Sequence, residues 1–589
     1  MNHAVADSAV MLRPARAWAL VATAPISPDL VSAAERLGVS RRLLGVVAAR
    51  GCARPEDIEA FLGDPVAALN DPSLLPDALE FQTRLAQARD RGDRVMVYGD
   101  FDADGLTGLA VMVLALRAWG LEVEPYVPSR FTDGHGLSMG AVGRAQATGC
   151  AVIVTVDCGT SSPDEIAQAA GWGIDVLVTD HHHVPDRPSG SAALVNAHRP
   201  DSRYPDPRLT GAGVAFKLAQ LLLEDGSPAS RARWLELADL ATIGTVADVA
   251  PLLGENRAIA RLGLELMRRD ARPGLAALIR VAGLAPDRID AESVAYSIAP
   301  RLNAAGRIGE VTLAARLLLA ADAGEADELA GQLEEANRTR RDLTAVALAE
   351  ARDAVGDPGE SPAIVVAGAW PVGLIGLVAG RLAETHRRPV VVFSTDAEPW
   401  RGSARAPSGG LDLARAFGSC ERHFVRYGGH PEAAGCDLLP GAVDAFRADF
   451  QALAALAPSA VPQPPLPVDL VVQVLDVDYA LFHELERLEP FGAGNPAPRV
   501  AVLGATVTRV RPVSNGHVQM TVSKGREVLD VIAFGRADLA GAVLAGDRVD
   551  IVARIGSRRF GGFESLQLEL VDIATSVGWA AAASREGVA

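Results

Sequence analysis

Val95-Met96-Val97-Tyr98-Gly99-Asp100-Phe101-Asp102-Ala103-Asp104-Gly105 is an apolar, strand-prone run that ends in three carboxylates at alternate positions. Two further stretches repeat the arrangement: Val152-Ile153-Val154-Thr155-Val156 runs into Asp157, and Val176-Leu177-Val178-Thr179 runs into Asp180-His181-His182-His183. Helix-like segments at 107–119 and 164–170 and a strand-like run at 123–127 lie among them, and this alternation predicts a parallel sheet faced by helices. Sheets of that kind bind ligands in the crevice beyond the carboxyl ends of their strands, where these acidic and imidazole groups are expected to converge. The fold class that follows is α/β.

A chain of 589 residues exceeds one hydrophobic core and predicts several domains. Apolar residues make up 49% of it and aromatics only 5%, so small side chains carry much of the packing. The longest apolar runs, such as 109–116, fall far short of the roughly 20 residues that a membrane helix requires. Arg13 and Arg16 precede a short apolar run without the small-residue cleavage pattern of a signal peptide, so a cytoplasmic location without membrane association is expected. The five cysteines (Cys52, Cys150, Cys158, Cys420 and Cys436) form no Cys-x-x-Cys pair and support neither a disulfide framework nor a zinc ribbon. Cys158, next to Asp157, reads as packing in a strand-end turn. A net charge of −17 argues against diffuse nucleic-acid binding by the whole chain. Metal-binding carboxylates count in that total, however, and a local basic face can coexist with it.

Residues 1–80 read as a helical segment that closes in the turn Asp71-Pro72-Ser73-Leu74-Leu75-Pro76, and 81–330 as the first α/β domain. A mostly polar helical stretch at 331–356, stopped by Gly356-Asp357-Pro358-Gly359, reads as a connecting helix. Strand, helix and strand patterns at 363–367, 373–382 and 389–393 give a second, smaller α/β domain over 357–457, with an active cleft expected between the two. Pro458, Pro462, Pro464, Pro465 and Pro467 mark 458–467 as a linker that no helix or central strand accepts. Beyond it, alternation at 505–510, 518–522, 528–533, 548–555 and 566–571, with Asn515-Gly516 as a hairpin signal, predicts a small OB-like barrel over 468–575 and a tail at 576–589. From Arg499 to Phe560, nine Arg and one Lys face five acidic residues, a local balance of +5. That suits a single strand of nucleic acid, and it equally suits an ordinary solvated β surface.

Asp102 and Asp104 share one loop, Asp157 ends a neighbouring strand, His181 follows the next, and Asp248 follows a helix in Thr245-Val246-Ala247-Asp248. Taken singly, a strand-end Asp is usually a turn or helix cap, and a short His run is usually a solvated loop. Together they form a mixed carboxylate and imidazole set, which suits Mn²⁺ or Mg²⁺ better than a thiolate-type zinc site. So many carboxylates repel one another unless about two divalent cations sit among them. Two-metal hydrolysis of a phosphate ester is the chemistry this composition predicts.

Asp100-Phe101-Asp102-Ala103-Asp104-Gly105, the Asp157 strand end, Asp180-His181-His182 and Gly244-Thr245-Val246-Ala247-Asp248 resemble the successive motifs of the DHH phosphoesterases. Ala299-Pro300-Arg301-Leu302-Asn303-Ala304-Ala305-Gly306-Arg307, Tyr427-Gly428-Gly429-His430 and Glu489-Pro490-Phe491-Gly492-Ala493-Gly494-Asn495-Pro496 are similar to the bacterial RecJ exonucleases within that superfamily. The resemblance implies a DHH catalytic domain and a DHHA1-like domain flanking a cleft, joined by a long helix, with a C-terminal OB-fold. It also implies a 5′→3′ exonuclease specific for single-stranded DNA that releases 5′-mononucleotides in recombination and repair.

Carried over residue by residue, Asp157 bridges two Mn²⁺ or Mg²⁺ ions, Asp102 holds one with Asp100 as a further ligand, and Asp104, His181 and Asp248 hold the other. Asp180 orients its neighbours, and His182 contacts the phosphate or helps the leaving oxygen. Arg301, Asn303 and Arg307 are expected on a strand-contact loop; Ser403, Arg405, Gly428, Gly429 and His430 resemble phosphate-binding elements of the second domain. Arg130 and His135 match the family's 5′-end region, where Tyr is usual in place of His135. A single-strand-binding protein and a RecQ-type helicase are implied as partners beside single-stranded DNA, and a monomer is expected. Two alternatives remain at this stage: a DHH phosphodiesterase of short oligonucleotides or cyclic dinucleotides, which the OB-like region disfavours, and a non-catalytic DNA-binding replication scaffold, which the full set of carboxylates disfavours.

Overall fold

The computed structural model describes residues 12–22, 25–131, 133–185, 189–396, 398–457, 464–560 and 563–576. The chain divides into two compact units. The larger comprises Asp71–Asp248 and Gly263–Pro462. Its first sheet is wholly parallel, with strands in the order Glu122–Tyr126, Arg94–Gly99, Cys150–Val156, Asp175–Thr179, Ala193–Val195. Arg94–Gly99 comes first in sequence and has a later strand on each side, so the connections run outward in opposite directions from the gap between it and Cys150–Val156. That gap is the topological switch point where open α/β sheets bind ligands. Asp100 and Asp157 emerge beside it: Asp100 N–H donates to Val156 O at 3.2 Å, and Asp157 N–H to Thr179 O at 3.0 Å.

The acidic motif lies partly within a helix and not wholly on a loop. Asp102 is the N-cap of Ala103–Ala118, its Oδ1 accepting from Asp104 N–H at 3.0 Å and Gly105 N–H at 3.1 Å, so Asp104 belongs to the first turn. A capping Asp followed by a second acid within the first turn suits the unpaired N–H groups and the dipole of a helix start. The turn is tight: a Cβ on Gly105 would fall 2.5 Å from Asp100 O. The helix is buried on almost every face, packed against Gly211–Leu223 and Ala238–Ala247.

The connecting helix runs Ala323–Val355 and starts before the polar stretch that announced it. Asp322 caps it, and the buried Ala326, Leu329, Ala330 and Leu333 form an apolar stripe at helical spacing that continues to Asn337. The second sheet has the order Phe424–His430, Ala433–Leu438, Trp400–Arg405, Val390–Ser394, Ile364–Gly368, parallel only in its last pair.

The smaller unit joins Met1–Asn70, Val249–Leu262 and Gln463–Ala589. Val500–Val513, His517–Lys524, Glu527–Ala533, Phe563–Thr575 and Arg548–Phe560 pair in turn, and the last returns to the first, closing a barrel of OB type. The N-terminal segment is part of this unit's core: Leu30, Leu43, Val47 and Phe61 of the helices Pro28–Arg36, Arg41–Ala49 and Pro55–Leu62 share one apolar cluster with Val500, Val507 and Val549. Trp18–Leu20 also pairs in parallel with Leu466–Val468, so the proline-rich stretch ends in a strand. A two-stranded ladder accepts Pro467 because only one side of it needs hydrogen-bonding groups. The rest of that linker, 458–463, and 577–589 of the expected tail lie outside the described residues. Glu489–Pro496 is a brace within this unit: Asn495 Nδ2 donates to Leu488 O and Pro490 O at 2.8 Å, and Ala493 O accepts from Leu252 N–H at 2.7 Å. Among the described residues no helix is long and apolar enough to cross a membrane.

Candidate functional site

Three sets of ligand atoms meet beyond the first sheet: Asp100, Asp102 and Asp157; Asp157, His181 and His182; and Asp104, His181 and Asp248. Within each set the atoms lie within 4.8 Å of one another. Asp157 and His181 are each shared by two sets, which makes them the pivots. Asp157 holds a left-handed backbone at φ 63°, a conformation that costs a non-glycine residue roughly 1–3 kcal/mol and recurs at ligand-binding turns. Asp248 caps the end of Ala238–Ala247 and is aimed by that helix.

The electrostatics are those of a site short of positive charge. Burial, reinforced by Asp104, Asp102 and Asp100, pushes Asp157 well above the usual carboxylate range. Burial with Asp248 and Asp102 raises Asp104 to about 8, burial with Asp102 raises Asp248 to about 6, and burial with Asp100 raises Asp102. His181 is held down at about 4 by burial and by its neighbour His182. Its Nε2 stands 3.1 Å from Asp157 Oδ1, which is buried and accepts no hydrogen bond; Asp100 Oδ1 is likewise buried and unpaired. A neutral imidazole nitrogen and an orphaned carboxylate oxygen turned to one point are a donor set for a hard or borderline divalent cation, so the residues present fit the metals that the composition implies.

Asp180 and His182 form a pair at the edge of this cluster. Asp180 Oδ1 accepts from the backbone N–H of His181 at 2.8 Å and of His182 at 3.1 Å, and from His182 Nδ1 at 2.7 Å; Oδ2 accepts from Thr160 N–H at 3.1 Å. Burial works to raise Asp180, but the His182 and Thr160 hydrogen bonds outweigh it and leave the carboxylate below its usual range. The same bond raises His182 to about 9, so its imidazole is protonated at neutral pH. Cys158 is buried and its thiol raised far above the ordinary range by burial and the surrounding carboxylates, in keeping with packing rather than nucleophilic use.

The cationic residues separate into two kinds. Arg130 lies 4.2 Å over the Phe101 ring with a buried, unpaired Nε, and Arg307 donates to Gly373 O at 3.1 Å, linking the two lobes of the larger unit. Burial and then Arg130, Arg340 and Arg405 lower Arg307 to about 10 against the smaller opposing effect of Asp102, the mark of guanidinium groups crowded together. Arg405 donates to Ser403 Oγ at 3.2 Å, and the two side chains approach Gly376.

Arg301 and Asn303, by contrast, are already engaged. With Arg307 they lie on the helix Ala299–Ile308 and not on a loop, because Pro300 at a helix start favours the turn it would block further in. Arg301 donates to Glu334 at 2.6 Å and to Ser297 O at 2.6 Å, while Asn303 Oδ1 accepts from Ala103 N–H at 2.9 Å, behind the Asp102 turn. His135 is exposed, 3.3 Å from Asp100 Oδ2, with its ring 4.5 Å from that of Phe101. Gly428, Gly429 and His430 lie on the exposed edge strand Phe424–His430 instead of in a turn, and among the described residues they share no hydrogen bond or ion pair with the carboxylates. A Cβ on Gly429 would fall 2.4 Å from Ala433 O, so glycine there serves the close strand pairing.

Several contributors carry weak sequence signals. Arg340, which donates to the buried Asn337 at 2.8 Å, hides in the charged run Arg338-Thr339-Arg340-Arg341; a polar residue on the apolar stripe of that helix is the one hint. Thr160 and Asn196, whose Nδ2 donates to His182 O at 2.8 Å, hold the histidine turn from loops without a motif.

Known proteins share this arrangement. Residues 94–245 match the DHH family, N-terminal domain, residues 360–455 the DHHA1 domain and residues 468–572 the RecJ OB domain. The single-stranded-DNA-specific exonuclease RecJ of Bacillus subtilis is 35% identical over 559 residues, spanning 94% of this chain and 70% of that protein. The crystal structure of Thermus thermophilus RecJ in complex with Mn²⁺ superposes with a TM-score of 0.80 at 32% identity, covering 95% of this chain and 80% of that one. The Mg²⁺ complex of the same protein gives 0.74 at 31% identity, covering 95% and 79%. Three matched domains in one order, and a relative of this identity matched over more than two thirds of its length, settle the kinship: the chain belongs to the RecJ family.

Proposed function

We propose that this protein is a single-strand-specific DNA exonuclease that works from the 5′ end, hydrolyses phosphodiesters with two divalent cations, Mn²⁺ or Mg²⁺, and releases 5′-mononucleotides. The carrying observation is the meeting of three ligand sets at Asp157 and His181, beside a crowd of buried guanidinium groups. Relatives named as single-stranded-DNA-specific exonucleases support the substrate. Asp157, Asp102 and Asp100 would hold one cation, and Asp104, His181 and Asp248, with Asp157 shared, would hold the other. When bound, such a pair neutralises the phosphate and acidifies the attacking water.

The chain's own groups do the rest. Arg130, Arg307, Arg340 and Arg405 offer planar forks to phosphate oxygens and hold the backbone in line. His182, kept protonated by Asp180, carries the proton for the departing 3′ oxygen. His135 presents an exposed ring backed by the buried Phe101, on which Arg130 also lies, and a terminal base stacks there, on imidazole more weakly than on the phenol usual in the family. The locally basic stretch from Arg499 to Phe560 suits phosphate contacts of the barrel's own.

The deciding experiment is Mn²⁺-dependent digestion of a 5′-phosphorylated, 3′-labelled single strand beside the matching blunt duplex and a dinucleotide, with products resolved by length. Loss of the single strand into mononucleotides from its 5′ end, sparing the duplex, is expected. Cleavage of the dinucleotide alone would replace this reading with a small-substrate phosphodiesterase, and binding without cleavage with a scaffold.

A further inference from the structure

One buried carboxylate of the centre is held by a helix that bears no ligand. Asp104 is buried, its Oδ2 accepting from Gly211 N–H at 2.7 Å and its Oδ1 from Ala212 N–H at 3.0 Å. These donors open the helix Gly211–Leu223, whose own cap is complete without Asp104, since Thr210 Oγ1 accepts from Gly213 N–H at 3.2 Å. Two N–H groups that a helix start normally gives to water or to its own cap are thus given to a side chain from another helix.

Two glycines close the cradle. A Cβ on Gly244 would lie 2.4 Å from Asp104 Oδ1 and 2.6 Å from Thr107 Oγ1, so the carboxylate rests on a bare Cα. A Cβ on Gly211 would lie 2.4 Å from Asp157 Cβ and 2.8 Å from its Cγ and Oδ1. Gly211 is helical and is not among the residues of positive φ, so its backbone does not call for glycine; the space beside Asp157 does. One residue therefore bonds Asp104 through its N–H and touches Asp157 through its missing side chain.

We propose that Thr210, Gly211 and Ala212 are positioning residues that lock the rotation of Asp104 and, through Gly211, set its spacing from Asp157, so that both carboxylates face a cation pair at once. Each Asp104 oxygen gives one lone pair to the helix and keeps the other for metal. The inference rests on the proposed metal roles of Asp104 and Asp157.

The test is Mn²⁺ binding to the metal-free full-length protein, read by calorimetry and by electron paramagnetic resonance, for wild type, Thr210→Val, Thr210→Ser, Gly211→Ala and Asp104→Asn. Loosening the outer hydrogen bonds to a metal ligand weakens binding about 10- to 100-fold, so Thr210→Val, which removes the cap that fixes the Gly211 and Ala212 N–H groups against Asp104, is expected to lose affinity toward that factor while Thr210→Ser, which keeps the capping hydroxyl, binds as wild type does. Gly211→Ala is expected to lose the spin-coupled signal of a close Mn²⁺ pair; should it fail to fold, the Thr210 pair decides alone. If Asp104→Asn binds weakly but Thr210→Val and Gly211→Ala keep wild-type affinity and signal, with only their melting temperatures lowered, the helix start is a plain cap and the proposal falls. If Asp104→Asn itself binds as wild type does, the metal assignment falls and this inference with it.

Discussion

Stripping the cations leaves a fold that pays for its site in a pH-dependent way. Asp104 lies at about 8 in the folded chain, against roughly 3.9 in an unfolded one. From about pH 4 to 8 the folded protein therefore binds more protons there than the unfolded protein, and stability falls as pH rises. His181 runs oppositely: held at about 4, it adds stability as pH rises toward the ordinary histidine value of roughly 6.5 and nothing beyond. His182, raised to about 9 by its bond to Asp180, lends stability that is present below roughly pH 6.5 and is lost as pH climbs toward 9. Between about pH 6.5 and 8, Asp104 and His182 share one sign and His181 has finished titrating.

Across those roughly 1.5 pH units, at about 1.36 kcal/mol each, Asp104 alone removes about 2 kcal/mol. At about 2.1 cal/mol/K of unfolding entropy per residue, a unit of this size shifts by roughly 1.3 °C per kcal/mol, so the Asp104 share should lower the melting temperature by roughly 2–3 °C. The assay is scanning calorimetry of chelator-stripped protein at the two pH values and constant ionic strength, repeated with Mn²⁺ and with Asp104→Asn. Saturating Mn²⁺ should abolish the Asp104 share of the fall, because a bound cation favours the charged carboxylate in the folded state, and Asp104→Asn should keep about half of the wild-type fall, the comparable share due to His182. A metal-free melting temperature that is flat or rises from pH 6.5 to 8, or an unchanged fall in Asp104→Asn, would refute the reasoning.

Three further outcomes follow from the geometry. Asp180→Asn should let His182 return toward roughly 6.5, moving the falling limb of kcat against pH down from about 9 and costing about 30-fold at pH 8; a limb that stays in place would remove His182 as the proton carrier. Asn303→Ala, by freeing Ala103 N–H, should cost roughly 1 kcal/mol of stability and about tenfold in Mn²⁺ affinity, the second measured by titration of the apo-protein. Arg301→Ala should lower stability by roughly 3 kcal/mol through the orphaned Glu334 with KM for single strands nearly unchanged, whereas Arg307→Ala should raise KM with little loss of stability; steady-state kinetics beside thermal melts separate the two.

What could be read from the chain alone was whatever neighbouring residues encode together. A strand run followed by carboxylates shows both that a strand ends and that its end carries charge, which is why Asp100, Asp102, Asp104, Asp157, His181 and Asp248 were legible as one centre. The barrel strands were legible for a similar reason, since alternation with period two and Asn515-Gly516 are local signals. The role of the N-terminal helices was not, because Leu43 and Phe61 look like any helical core residue until Val500 and Val549, more than four hundred positions away, are seen against them.

The arginines show the limit most sharply. Arg301 and Arg307 stand six residues apart in one motif, and nothing in the sequence around either separates a residue that braces from one that meets substrate. The division comes from Glu334, which neutralises Arg301 from a different helix, and from Gly373, which offers Arg307 a carbonyl where Arg301 meets a carboxylate. Thr210-Gly211-Ala212 repeats the lesson: threonine before glycine reads as a helix cap, which it is, and the anion it also cradles comes from Asp104, about a hundred residues earlier. Residues that touch metal announce themselves by composition, because few side chains can do so. Residues that aim them use backbone N–H groups and empty space, which every sequence possesses, so a positioning role is visible only once the fold has placed the partner.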